Sequence, residues 1–436
     1  MSPPDKVVFQ DMIDSVPNPE GKQQPVLVGE ILDGQTGQKQ ETFVEVGSYQ
    51  LCKHNQRAEG DVFLSQKNPK DGRVITTLSD GLGSGIKAGV LATLTATMAT
   101  KFIANDMSIR RAAEIIMNTL PVCKDRGISY ATFTLVDIEP DATVRIMEYD
   151  NPPYVLVRQE TVIEPIKDIT PIQRKDASTA PKREALLHYS RYQARPGDRL
   201  IFFSDGVTQS GMGSPCYPFG WGSGNVQDFI LREIHDNQLV SARELARTVV
   251  QEASLHDGYR PKDDITCGVI YFRNPRDLLV VTGPPLHKER DSELARIFNL
   301  FEGEKIICGG TTANILSREL ERPITVNLKD FDPKVPPCSQ MEGAAMVTEG
   351  IITMGAVSEI LEHDGDTEGM KPNAATRIVE HFLNCDRIWF VVGTKINEAH
   401  QDPTMPVELE IRRNVVKKIA ALLQDKYLKE THIQYF

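Results

Sequence analysis

Paired cysteines are missing from this sequence. Its seven cysteines (positions 52, 123, 216, 267, 308, 338 and 385) are scattered, odd in number and without a Cys-x-x-Cys. That excludes a disulfide frame or a zinc ribbon and predicts reduced thiols in a cytoplasmic protein. The nine histidines show no His-x-x-x-His spacing either. Basic charge is in deficit: 49 Lys and Arg against 60 Asp and Glu leave a formal charge of −11, the wrong sign for a nucleic-acid surface. Met1 to Val16 lack an apolar h-region, so no secretory signal is expected. The most apolar long stretch, Ile86 to Ala104, is interrupted by Lys87, Lys101 and repeated threonines, so no membrane span or membrane partner is expected. What remains is a globular composition, 40% apolar and 25% charged, over 436 residues. That length predicts two cores.

Against this background one tripeptide occurs twice. Ser79-Asp80-Gly81 ends the run Arg73 to Leu78, and Ser204-Asp205-Gly206 ends Arg199 to Phe203. Both runs are β-branched, aromatic or Leu-rich and read as buried strands, so each sets a carboxylate just past a strand end with glycine behind it. Glu59-Gly60-Asp61 enters the apolar Val62-Phe63-Leu64, and Asp263-Asp264 precedes the strand-like Ile265 to Phe272. Four acidic clusters at strand ends predict one oxygen-lined site for hard cations, Mn²⁺ or Mg²⁺, since zinc would recruit Cys or His. Asp80 would bridge two ions, the Gly81 carbonyl would ligate, and Asp61, Asp205 and Asp263 would hold the ions directly or through water. Paired cations of this kind prime water for in-line attack on a phosphoryl group. A single Asp-Gly is usually a turn. The combination carries the signal.

Ile86, Val90, Leu94 and Met98 recur at helical spacing, so the loop Asp80 to Gly85 opens into a helix. Further helices are predicted over 109–120 and 241–256, with strands at 130–137, 144–149 and about 154–158. Residues 164–185 read as a surface loop, and 211–224, rich in Gly and Pro, as a mobile loop beside the site. Sheet elements with paired helices suit two sheets with helices outside. Residues 1–44, with one strand-like run at Val26 to Leu32, read as an N-terminal extension to a domain spanning 45–273.

Asn274-Pro275-Arg276 marks a boundary, and from 276 to 436 strands and helices alternate. The expected strands lie at 278–282, 305–308, 324–328 and 387–392. Helices are expected at 292–301, 312–320, near 345–362, at 374–383 and after Pro406. This predicts a smaller α/β domain with a mostly parallel sheet. Ile306-Ile307-Cys308 runs into Gly309-Gly310-Thr311-Thr312, and Phe390-Val391-Val392 into Gly393-Thr394-Lys395. Such turns present free N–H groups outside strand ends, so Gly309, Gly310, Thr311, Thr312, Gly393 and Thr394 are candidates for a small anionic ligand. An ordinary strand-to-helix turn explains the same pattern equally well.

Gly60-Asp61, Ser79-Asp80-Gly81-Leu82-Gly83-Ser84-Gly85, Pro196-Gly197-Asp198 with Phe203-Ser204-Asp205-Gly206-Val207, and Asp263-Asp264-Ile265-Thr266 together resemble the ordered motifs of metal-dependent protein phosphatases of the 2C (PPM) type. The sporulation-protein-E branch of bacterial phosphatases is the nearest likeness, over roughly residues 45–272. The resemblance implies an α+β fold with an αββα sandwich, a binuclear Mn²⁺ or Mg²⁺ site, and hydrolysis of phosphoserine or phosphothreonine on a phosphorylated protein partner. Carried over by motif, the metal ligands are Asp61, Asp80, Gly81, Asp205 and Asp263, with Asp264 where relatives have Asp or Asn. Leu82 stands where many eukaryotic relatives have His, which leaves the general acid unassigned. In the bacterial branch helices beside these loops act as a switch, which would make the helix at 86–102 a regulated element. A homodimer is allowed for. Two other readings stay open: a silent sensor or scaffold of the same fold, and a nucleotide-sensing C-terminal domain that controls the phosphatase.

Overall fold

The computed structural model describes residues 42–68, 71–83, 85–120, 131–172, 185–326, 335–367, 369–395 and 405–436. The expectations for Val26 to Leu32, Ser84 and Cys123 lie outside these residues. In chain order the first half contains β1 (Phe43–Leu51), β2 (Asp61–Lys67), β3 (Val74–Gly81), α1 (Ile86–Ala104), α2 (Ile109–Thr119), β4 (Ala131–Ile138), β5 (Thr143–Tyr149), β6 (Val155–Arg158) and β7 (Thr161–Ile163). It continues with β8 (Lys167–Ile172), β9 (Ala185–Gln193), β10 (Arg199–Phe203), α3 (Asp205–Thr208), α4 (Ser223–Asp236), α5 (Ala242–His256) and β11 (Ile265–Arg273). The segment read as a loop from 164 thus begins with β8, which pairs with β9.

Two antiparallel sheets form, in the orders β1-β11-β10-β6-β7 and β2-β3-β4-β5-β9-β8. Alternation along each strand sorts the side chains into three layers. Leu78, Val136 and Ile146 meet Leu200, Phe202, Ile270 and Phe272 between the sheets. Ile75, Phe133, Leu135 and Met147 face outward against α1 and α2. Ile201, Phe203, Val269 and Cys267 face outward against α4 and α5. The result is the αββα sandwich.

Helix α1 forms where its spacing predicts, but its buried face is different. Ala88, Ala92, Ala96, Ala99 and Ile103 pack onto the sheet, while Ile86, Val90 and Leu94 are 76%, 60% and 44% exposed. Periodicity locates a helix, but small residues let it approach the sheet backbone more closely than leucines would. By length and composition α1 is the one described helix apolar enough to cross a membrane, and its alanine face is spent on the sheet. Val90→Ser is therefore expected to change stability by no more than about 0.5 kcal/mol. Ala92→Leu overpacks the helix–sheet contact and should cost about 1–3 kcal/mol by urea denaturation.

The second half contains β12 (Asp277–Thr282), α6 (Asp291–Leu300), β13 (Glu304–Cys308), α7 (Gly310–Leu320), β14 (Thr325–Val326), β15 (Ser339–Gln340), β16 (Met346–Thr348), α8 (Ile351–Glu362), α9 (Ala374–Asn384), β17 (Arg387–Val392), α10 (Met405–Asp425) and β18 (Glu430–Tyr435). Its sheet runs β14-β15-β16-β13-β12-β17-β18, parallel from β16 to β18 with two antiparallel edge pairings. Leu278 and Val280 face the core of α8, α9 and α10. Leu279 and Val281 face that of α6 and α7. Two expectations need correction. The first residues of the helix expected from 345 are the buried strand β16, and the chain after α10 ends in a strand, β18.

The halves are tied by buried charge. Arg273 Nε donates to Glu45 at 2.7 Å and its Nη2 to Asp386 at 2.9 Å, with Lys429 Nζ 3.6 Å from the same carboxylate. Leu428 inserts into the layer between the two sheets of the first half.

Candidate metal centre

The geometry of the centre starts from strand register. β2 and β3 pair so that Asp61 stands directly opposite Asp80. Like charges in that position destabilise a sheet. Asp61 is buried, and its Oδ2 accepts the Thr266 hydroxyl at 2.8 Å. Ser204 also hydrogen-bonds its carboxylate, and Ser204 Oγ in turn accepts Thr266 N–H at 3.1 Å. Asp205 opens α3 just past β10, and its Oδ2 accepts Gln209 Nε2 at 2.7 Å. Asp264 is buried, and its Oδ1 accepts Lys53 N–H at 3.1 Å, while Lys53 Nζ lies 3.9 Å from Asp263.

Three glycines let these loops touch. A Cβ on Gly60 would lie 2.8 Å from Asp264 Oδ2, one on Gly81 2.2 Å from the Ala88 carbonyl oxygen, and one on Gly206 2.1 Å from the Asp264 carbonyl oxygen. Their value is close approach, because none of the three has positive φ. The Gly-rich stretch 211–224, expected to be mobile, is fastened instead. Trp221 N–H donates to Ser210, Gly222 N–H to Thr208 and Gly211 N–H to the Asp257 carboxylate. Trp221 is buried and packs on Phe229 and His256.

Electrostatics records the convergence. Burial pushes the Asp61 carboxyl up to about 7, helped by the charges of Asp264 and Asp205 and opposed by the Ser204 and Thr266 hydrogen bonds. Burial, then the charges of Asp61, Asp205 and Asp263, hold Asp80 well above the usual carboxylate range. Asp263 is raised by burial and pulled back by Lys53. The structure thus brings Asp61, Asp80, Asp205, Asp263 and Asp264 to one end of the sandwich. Among the described residues no three Asp, Glu, His or Cys side chains are gathered closely enough to grip an ion as they stand. Asp61 and Asp80 face each other by strand register, and the other carboxylates act on them through space. The donor set is carboxylate and carbonyl oxygen, which suits Mg²⁺ or Mn²⁺.

Arg57, near Asp61 in sequence, is an exposed loop charge. Ser204 and Thr266, which orient Asp61, were inside the quoted motifs, but no local signal gives their role. At the C-terminal candidates the structure separates what the sequence listed together: β12 lies between β13, which leads to Gly309, and β17, which leads to Gly393. Thr394 donates both its N–H and its hydroxyl to the Phe436 carbonyl.

The Asp61 value sets a pH dependence. Its carboxyl titrates near 7 in the folded chain against 3.8 unfolded, so between these values the folded chain holds the extra proton. Metal-free protein should then lose stability as pH rises from about 4 to 7 and be steadiest below that window. Cations compete with that proton, so Mn²⁺ affinity should fall as pH drops below about 7, by roughly tenfold per pH unit. Titration with Mn²⁺ at pH 5.5 and 8 checks this. Equal affinities would remove Asp61 from the ligand set.

Face-to-face antiparallel sheets, paired helices outside and acidic loops at one end define the fold class of PP2C-type phosphatases. Residues 70–273 match the stage II sporulation protein E (SpoIIE) family, so this segment is a SpoIIE-type, PP2C-like domain. No curated protein matches the sequence. Among solved structures, one similar to this chain is the PP2C phosphatase domain with a fragment of the regulatory domain of the cell fate determinant SpoIIE from Bacillus subtilis. It shows 18% identity over 54% of this chain and 65% of that one, with a TM-score of 0.43. The RsbU and RsbW domains of a Mycobacterium tuberculosis protein match at 16% identity over 59% and 67%, TM-score 0.40. RsbX in complex with magnesium matches at 15% over 54% and 98%, TM-score 0.36. The chain thus spans just under two thirds of the first of these.

Proposed function

We propose that this chain is a metal-dependent serine/threonine protein phosphatase acting on a phosphorylated bacterial signalling protein in the cytoplasm. The observation that carries this is the directly opposed Asp61–Asp80 pair, kept at a sheet end despite its electrostatic cost and joined there by Asp205 and Asp263. Perturbed carboxylates gathered at one site mark function more often than structure. Asp61, Asp80, Asp205, Asp263 and the Gly81 carbonyl would hold two Mn²⁺ or Mg²⁺ ions, with Asp264 behind them. When bound, such cations supply positive charge for a phosphoryl group and acidify water. The chain's own residues do the positioning. Ser204 and Thr266 fix the Asp61 carboxylate, Lys53 steadies Asp263 and Asp264, and Gln209 holds Asp205.

The alternative is a phosphatase-fold sensor that binds without turnover. Hydrolysis of p-nitrophenyl phosphate and of a phosphoserine peptide by the full chain with Mn²⁺ separates the two. Folded protein that turns over neither with Mn²⁺ or Mg²⁺ establishes the sensor.

A further inference from the structure

β13 and β16 are hydrogen-bonded parallel neighbours, and the helices that follow them leave toward opposite faces of the sheet, α7 into one core and α8 into the other. Divergence of this kind marks the position outside the strand ends where open α/β sheets bind ligands. The corresponding gap between β12 and β17 is filled. A Cβ on Gly393 would lie 2.2 Å from the carbonyl oxygens of both Gly283 and Pro284.

At the β13–β16 opening the two helix starts meet. Gly309 and Gly350 are the N-caps of α7 and α8, neither helix has a side-chain cap or an acidic residue in its first turn, and a Cβ on Gly350 would lie 3.7 Å from Gly309 Cα. The N–H groups of residues 310–312 and 351–353 have no acceptor within their own helices. Around Gly310 there is open space. Both helices carry threonine at the same third position. Thr312 and Thr353 are 0% exposed, and both hydroxyls lack a hydrogen-bond partner. Thr312 Oγ1 faces the opening, 3.5 Å from where a Gly309 side chain would begin. Two fully buried orphan hydroxyls, repeated at equivalent positions, carry a cost that an incoming acceptor would remove.

We propose that this strand-end position binds the phosphate of a nucleoside phosphate, an inference independent of the phosphatase reading. Two helix N-termini supply converging N–H groups and positive dipole ends for the phosphate. Glu349, exposed next to Gly350, disfavours a bare anion and can accept sugar hydroxyls, while Ile352, 60% exposed in the first turn of α8, offers an apolar face to a base.

Calorimetric titration of the full chain in EDTA, with AMP, ATP and inorganic phosphate as probes, tests this. The expected result is single-site binding of AMP or ATP at least tenfold tighter than phosphate. Thr312→Val and Thr353→Val should each weaken it tenfold or more, without lowering the melting temperature, and Asp205→Asn should leave it unchanged. No binding of any probe at millimolar concentration, undiminished binding in both valine variants, or loss in Asp205→Asn overturns the site. Phosphate binding as tightly as AMP overturns the nucleoside assignment.

Discussion

Replacing Asp80 by Asn is expected to abolish Mn²⁺-dependent hydrolysis of p-nitrophenyl phosphate, a loss of roughly a thousandfold or more, while raising the melting temperature of the metal-free protein. The magnitude follows from removing a group whose charge serves only the loaded, reacting state. The stability change has the opposite sign because Asp80 stands directly across from Asp61, with Asp205 and Asp263 near enough to raise its carboxyl as well. Asn keeps the shape but leaves no carboxylate at that position to be buried opposite Asp61. Relief of about 1 kcal/mol would lift the melting temperature by ~2–4 °C. A purely structural aspartate would give the reverse, destabilisation with activity retained. Activity within tenfold of the parent chain, or a lowered melting temperature in EDTA, would place Asp80 outside the metal centre.

Asp386→Ala should cost about 3–5 kcal/mol, because it leaves the charges of Arg273 and Lys429 buried with fewer partners. Asp386 is fully buried between the end of β11 and the C-terminal sheet. It accepts both Arg273 terminal nitrogens and the Arg276 N–H, with Lys429 3.6 Å away. Burial pushes its carboxyl up against the pull of Lys429 and Arg273, so the site depends on every partner being present. Urea denaturation followed by tryptophan fluorescence measures the loss, since Trp221 and Trp389 report one half each. A midpoint unchanged in both signals would show that the junction carries no coupling between the halves.

The acidic strand ends were legible because each is written locally, as a strand next to Asp-Gly or Asp-Asp, and the αββα layering was legible through the resemblance those motifs carry. What escaped was set by partners distant in sequence. The buried face of α1 was not legible, because Ile86, Val90 and Leu94 carry the helical period but the alanines have the size the sheet contact needs. β16 was absorbed into the following helix because three apolar residues without a strong turn signal look the same in either state. β18, Glu-Thr-His-Ile-Gln-Tyr, is polar and lies at the sheet edge, so alternation barely shows. Ser204 and Thr266 were visible as letters, but their hold on Asp61 comes from two sheets folding together.

β11 begins directly after Asp263 and Asp264 and ends at Arg273. It is a nine-residue rod about 30 Å long, with the acidic loops at one tip and the clasp to the C-terminal half at the other. A strand paired on both sides cannot creep by one residue without turning its inward side chains out. The clasp therefore works as a stop that sets where the far tip, and the acidic loop on it, sits.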